Sequence, residues 1–207
     1  TTFTQVLFPG IYPDMTHYQA EQNQALANSN SQAFAWKASA YPVVDKMAHD
    51  IFHWNQTRDQ VAKFDSKAGI YLINVYNLGP GGGGFLASLF LLDNVKTNIF
   101  EVKQVTSIDG SAVLLSPAPF SQLTSPVNVI GSAPASGSNT ILGQVLLYDD
   151  TYVNVGSSDG IHSNVASGVV NFTISIPYHL GASGQQEGTI AFFSTTQNNT
   201  ALTNEVV

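Results

Sequence analysis

Polar and apolar positions alternate through the opening TTFTQVLF, a period of two that predicts a strand, and the turn-rich PGIYP closes it. A strand at this end of the chain has two fates. It pairs within its own sheet, or it leaves the subunit and completes a neighbour's sheet, with Phe3, Val6, Leu7 and Phe8 as the anchoring side chains. From Asp14 to Lys67 the pattern changes. Asp14 stands where an N-cap belongs, ahead of MTHYQAEQNQALA, whose Ala, Gln, Glu and Leu suit a helix that NSNSQ then interrupts. AFAWKASAY fits a strand, with Phe34, Trp36, Ala38 and Ala40 on one face, or a helix; Pro42 ends it. Val43 to Phe64 carries the strongest helical signal, because Val44, Met47, Ala48 and Ile51 form an apolar stripe that must face a core.

Beyond Ala68 the chain reads as β. GIYLINVYNL is rich in β-branched and aromatic residues, GPGGGG breaks the chain, and FLASLFLLDN is too short and apolar to assign by period. TNIFEVKQVTSIDGSAVLLS predicts two strands joined as a hairpin through Asp109-Gly110. The Pro/Ser/Gly-rich stretch from Pro117 to Asn139 predicts a long surface loop that pairs briefly at Val127–Ile130. TILGQVLLYDD, TYVNVG, GVVNFTISIPY and GTIAFFSTT add further short strands. The predicted fold is mainly β with a helical N-terminal region and an antiparallel body of the β-sandwich or jelly-roll type. Its parts are a strand and hinge over residues 1–13, a helix-rich segment over 14–67 and an antiparallel β domain over 68–207.

Composition narrows the setting. Only 10% of the 207 residues are charged, against the roughly 25% typical of soluble domains, while 43% are hydrophobic. Solubility then falls to Ser, Thr, Asn, Gln and Gly, a balance that suits an extracellular or cell-surface protein. With seven Lys and Arg and a net charge of −7, the chain lacks the basic footprint that nucleic acid requires. Few carboxylates also means few native pairings to lose in acid. The absence of cysteine excludes disulfide-linked partners, thiolate metal sites and cysteine nucleophiles. FLASLFLL, Phe85–Leu92, is too short to span a bilayer, and Thr1, with no preceding methionine or apolar leader, fits a processed terminus and a recombinant start equally.

The candidate chemistry is sparse. On a helix, Asp45, His49 and His53 would share one flank, and His17 with Glu21, also four apart, would offer a second. Together His17, Glu21, His49 and His53 could ligate one ion such as zinc. The same side chains are otherwise a solvent-facing flank, or a subunit contact that responds to pH. Paired Glu-x-x-His and His-Glu-x-x-His motifs are absent. Gly79–Gly84 is followed by Phe85 and Leu86 rather than Lys-Ser/Thr, so it is a hinge or a close backbone approach, not a phosphate loop. No cofactor is implied. Asn-x-Ser/Thr sequons stand at Asn55, Asn171 and Asn198, about as many as chance gives in such a composition. Phe34, Trp36, Phe52 and Trp54 are expected in the core rather than on a carbohydrate-stacking surface.

LGQVLLYDDTYVNVGSSDGIHSNVASGVVNF, Leu142–Phe172, resembles the part of dirigent and allene-oxide-cyclase-like barrels where a strand ending in Asp-Asp precedes a loop, a small Gly and another strand. The resemblance implies an eight-stranded barrel around an apolar small molecule, with Asp149 or Asp150 near its pocket. Those barrels have no helical N-terminal stretch of this length. Three functional classes therefore stand: a non-enzymatic structural subunit of a filament, pilus, sheath or capsid-like homopolymer, a metal-binding protein or enzyme, and an apolar-ligand barrel.

Overall fold

The computed structural model describes residues 8–29, 32–65, 67–79, 82–94, 97–135, 137–181, 187–195 and 202–206. Two α-helices come first, α1 over His17–Asn28 and α2 over Ala40–Asp50, with a 3-10 helix over Gln32–Ala38 between them. Thr16, not Asp14, caps α1. Its hydroxyl accepts from the Gln19 N–H at 3.1 Å and Gln19 Oε1 accepts from the Thr16 N–H at 3.2 Å, a reciprocal box that satisfies two otherwise orphaned donors. Pro42 lies inside the first turn of α2, where a helix needs no N–H from it.

The α2 stripe behaves as its spacing predicts: Val44, Met47, Ala48 and Ile51 are all buried. The helix nevertheless stops at Asp50, well short of Phe64. His53 takes a left-handed φ of 57°, and Thr57–Asp65 forms strand β1. Its pairing partner explains the difference. β1 lies antiparallel to β2, Ile70–Asn77, so that Arg58 sits opposite Tyr76 and Phe64 opposite Tyr71. The guanidinium lies 4.9 Å from the Tyr76 ring centre, and the Phe64 and Tyr71 rings are 4.2 Å apart. Such cross-strand pairs outweigh the helix preference of Gln, Ala and Lys.

β3, Gly83–Asn94, and β4, Thr97–Ser107, follow, and then β5, Val113–Ser116, and β6, Val127–Ala135. The later elements are β7, Ile141–Asp149, β8, Asn154–Ser157, β9, Ile161–His162, β10, Gly168–Ile176, β11, Gly188–Thr195, and β12, Leu202–Val206. All pairings are antiparallel. The larger sheet runs β1-β2-β3-β4-β12-β11-β7-β8, with β9 also on β7; the smaller runs β10-β6-β5. Among the described residues neither order closes on itself, which is not the barrel that the resemblance implies.

Two expectations change. Asp109-Gly110 does turn, with Gly110 at φ 66°, but β4 and β5 do not pair: the chain leaves the larger sheet there and starts the smaller one. Residues 127–135 are a full strand rather than a loop. Pro134 is tolerated because β5 reaches only Ile130–Ser132 of β6.

The core has two parts that meet across β11. Ala191 and Phe193 join the cluster under the helices with Val43, Met47, Trp54 and Val75, whereas Phe192 joins Val129, Phe172 and Val145 from the smaller-sheet side. β7 divides in the same way, Leu146 and Tyr148 to one side and Val145 and Leu147 to the other. Phe52 and Trp54 are core residues, as expected. Replacing the fully buried Phe192 by alanine is expected to cost about 3–5 kcal/mol. Urea unfolding should show it as a lower midpoint with an unchanged slope.

Candidate functional site

Residues 8–15 are buried or half-buried throughout. The Ile11 N–H donates to the Val102 carbonyl and the Val102 N–H to the Tyr12 carbonyl, each at 2.7 Å, so the segment makes one antiparallel bridge on β4. Tyr152 donates its hydroxyl to the Ile11 carbonyl at 2.9 Å, and Tyr12 donates to Asp50 Oδ2 at 2.8 Å. Phe8 is buried, its ring edge-on to His17 at 5.1 Å. Gly10 permits this path, because a Cβ there would run into the Phe8 ring and stand 3.0 Å from the Asp14 carbonyl oxygen.

Phe8 is one of the residues lining an open groove of about 850 Å³. Leu114 and Val127 of the smaller sheet and Leu147, Val155 and Ile190 of the larger one line it, so it enters the space where the second core cluster meets the surface. The loop Pro117–Ser125 borders it. β5 is the outermost strand of the smaller sheet in its order, and its sequence, VLLS, carries no charge, with Leu115 exposed. β1, outermost in the larger sheet, carries Arg58, Asp59, Lys63 and Asp65, the usual protection of an edge strand against further pairing. The polar rim offers little chemistry. Asp149, which the resemblance places near a pocket, does border the groove, but its Oδ1 is engaged in its own turn by the Thr151 hydroxyl at 2.7 Å and the Val153 N–H at 3.0 Å. Burial pushes its pKa up slightly, and these donors hold it below the usual carboxylate value.

A smaller cleft of about 370 Å³ lies beside the N-terminal segment, lined by Tyr12, Asp50, His53, Tyr148, Tyr152 and Asn154. Burial and the neighbouring carboxylates push both the Tyr12 and Tyr152 hydroxyls upward, so they act as donors and not as phenolates.

The expected metal-ligand set is dispersed. His17 and Glu21 are on the exposed side of α1, His49 is an exposed residue of α2 bonded to Asp50 Oδ1 at 3.0 Å, and His53 lies past the helix end. Among the described residues no three His, Cys, Asp or Glu side chains converge on a point that could hold an ion. Asn55 and Asn171 are exposed, as a glycan would require, while Asn198, Phe3, Val6 and Leu7 fall outside the described residues. The groove itself was not foreseen. Its lining comes from several strands far apart in sequence, and the only local hint was the uncharged LLS next to a proline-rich loop.

Comparison with protein-family models, with curated proteins and with solved structures finds no match to this chain.

At the junction of α2 and β1, Asp45 accepts from the Thr57 hydroxyl and lies beside Asp59. Burial, then the Asp45 charge and the hydrogen bond to Asp45, raise the Asp59 pKa to about 7. With both groups ionised Asp59 Oδ1 faces no donor; one shared proton supplies it. The folded state thus binds a proton that the unfolded chain releases near its ordinary carboxylate pKa. The contribution is present in acid and lost as pH rises through about 7. Asp59→Asn should therefore stabilise the protein at about pH 8, by on the order of 1 kcal/mol after solvent screening, with the difference shrinking towards about pH 5 in urea titrations.

Proposed function

We propose that the protein is a non-enzymatic structural subunit of an extracellular homopolymer, a filament, pilus, sheath or capsid-like assembly, built by adding the N-terminal strand of one copy to its neighbour. In this reading the two antiparallel sheets form a jelly-roll-like sandwich body. The observation that carries it is the apolar groove of about 850 Å³ flanked by the uncharged outer strand β5. An added strand satisfies its backbone along a sheet edge while alternate side chains enter the adjoining pockets. The seven residues before Phe8 would extend roughly 23 Å as a strand, at about 3.3 Å each, long enough to leave the parent body.

Phe8 stays at home in this scheme. Its burial against His17 and the bridge from Tyr12 to Val102 fix the base from which the strand departs. Phe3, Val6 and Leu7 are then the anchors in the neighbouring copy, each worth about 1.5–3 kcal/mol if fully buried. Low charge and a surface made soluble by Ser, Thr, Asn, Gln and Gly support the exterior setting. The groove also suits an apolar small molecule by its volume, the reading drawn from the barrel resemblance.

The deletion of residues 1–7 separates the two. Under strand addition the shortened protein stays folded and monomeric by light scattering, and a synthetic peptide TTFTQVL binds it. Polymers that form without those residues, or native material that is monomeric under electron microscopy, would sink the assembly reading.

A further inference from the structure

Three buried ionisable groups from separate elements meet where the N-terminal segment crosses β4. Lys37, at the end of the 3-10 helix, places Nζ 3.5 Å from Asp14 Oδ1, and the two side chains are 7% and 2% exposed. Glu101 of β4 is fully buried and accepts the Asp14 backbone N–H on Oε2 at 3.2 Å. Asn23 of α1 donates its Nδ2 to the same Asp14 Oδ1. The rings of Trp36 and Phe34 stand 5.2 and 5.9 Å from the amine and wall it off from water.

As a plain ion pair this arrangement is poor. Burying two ions is favourable only when their remaining donors and lone pairs are satisfied. Here Asp14 Oδ2 and Glu101 Oε1 are both buried and face no donor. A second carboxyl beside the pair adds repulsion unless it carries a proton. Burial drives Lys37 towards the neutral amine, against the opposing pull of Asp14 and Glu101. Burial, the hydrogen bond to Asp14 and the Asp14 charge push Glu101 up to about 10, so it is a neutral acid at ordinary pH. A desolvated amine, a carboxyl carbon within reach and a protonated acid are the components of acyl transfer to nitrogen.

We propose that Lys37 and Asp14 become joined by an intramolecular isopeptide bond, an amide between Lys37 Nζ and Asp14 Cγ, formed by the folded protein itself with Glu101 moving the protons. Lys37 first gives one ammonium proton to the Asp14 carboxylate, and the amine, now neutral, attacks Cγ while Asn23 polarises the Cγ–Oδ1 bond by its hydrogen bond. Glu101 relays a proton from the nitrogen to the departing oxygen and ends in the protonation state in which it began. One N–C bond forms, one C–O bond breaks, one water leaves, and nothing is oxidised or reduced. The amide replaces two buried charges with one neutral group, which the surrounding aromatic side chains favour.

The bond would tie the start of α1 to the end of the 3-10 helix, closing a loop between residues 23 apart in the chain. It would also sit directly behind residues 8–12. If residues 1–7 are the strand given to a neighbour, a pull on them that overcomes the Phe8 packing and the Tyr12–Val102 bridge reaches Asp14 and passes across a covalent link. That consequence rests on the assembly reading; the bond does not.

The test uses the full chain, folded and incubated, with intact-mass measurement followed by proteolysis and peptide sequencing by mass spectrometry. The expected result is a mass one water below that of the sequence and a branched peptide joining the Asp14 and Lys37 segments. Lys37→Arg and Glu101→Gln, checked for folding by circular dichroism, should keep the full mass and yield two separate peptides. Wild-type folded protein with the full mass and unlinked peptides overturns the proposal, and this holds whether or not the variants fold. A water loss mapped to any other pair of residues overturns it equally, and a Glu101→Gln variant that links as completely as wild type removes Glu101 from the mechanism. Because none of these readouts involves polymerisation, the bond and the assembly reading stand or fall separately.

Discussion

The two-sided burial of β11 is the constraint around which the rest of the molecule is arranged. A strand with Ala191 and Phe193 on one face and Phe192 on the other cannot be solvated on either, so both faces must be covered. The helices cover one and the smaller sheet the other. β7 beside it obeys the same rule through Val145, Leu146, Leu147 and Tyr148, and the other strands of the larger sheet extend the layer outwards to β1. The two apolar clusters are thus joined through shared strands, and a loss of packing on one side is felt on the other.

The N-terminal segment uses this architecture as a clamp. Residues 8–15 pass along β4 between the helical layer and the sheet, and the fixing contacts are polar: a backbone bridge to Val102, tyrosine hydroxyls, and the Asp14–Lys37–Glu101 cluster. A chain this short of charge concentrates an unusual share of it in one dry place. Apolar residues would fill the same space more cheaply, so the cluster is a feature to be explained by what it does rather than by stability. A fixed base for the arm and an apolar groove lined in part by Phe8 belong to one design in the assembly reading.

The outer strands show the same division of labour by sequence. β1 keeps Arg58, Asp59, Lys63 and Asp65 and is held by aromatic pairs to β2, a surface that discourages further pairing. β5 is short, uncharged and next to the groove.

What was legible from residues alone was local and periodic. The apolar stripe of α2 was readable because burial on one face of a helix leaves a repeat in the sequence, and the β character of residues 70–77, 141–149, 168–176 and 188–195 was readable from alternation and β-branching. The mainly β class with helices first followed from those two signals. The turn at Gly110 was visible too, but not that it changes sheets, because a turn residue reports its own φ and nothing about the strand's next partner. Tertiary pairing made Thr57–Asp65 a strand, made residues 127–135 the centre of a sheet, and ended α2 before His53, so that His49 and His53 do not share a helix face. The groove and the Lys37–Asp14–Glu101 meeting were beyond reach for the same reason. The groove is lined from Phe8 to Ile190, and the cluster's members lie up to 87 residues apart, within bonding distance only because helices and N-terminal segment pack on β4.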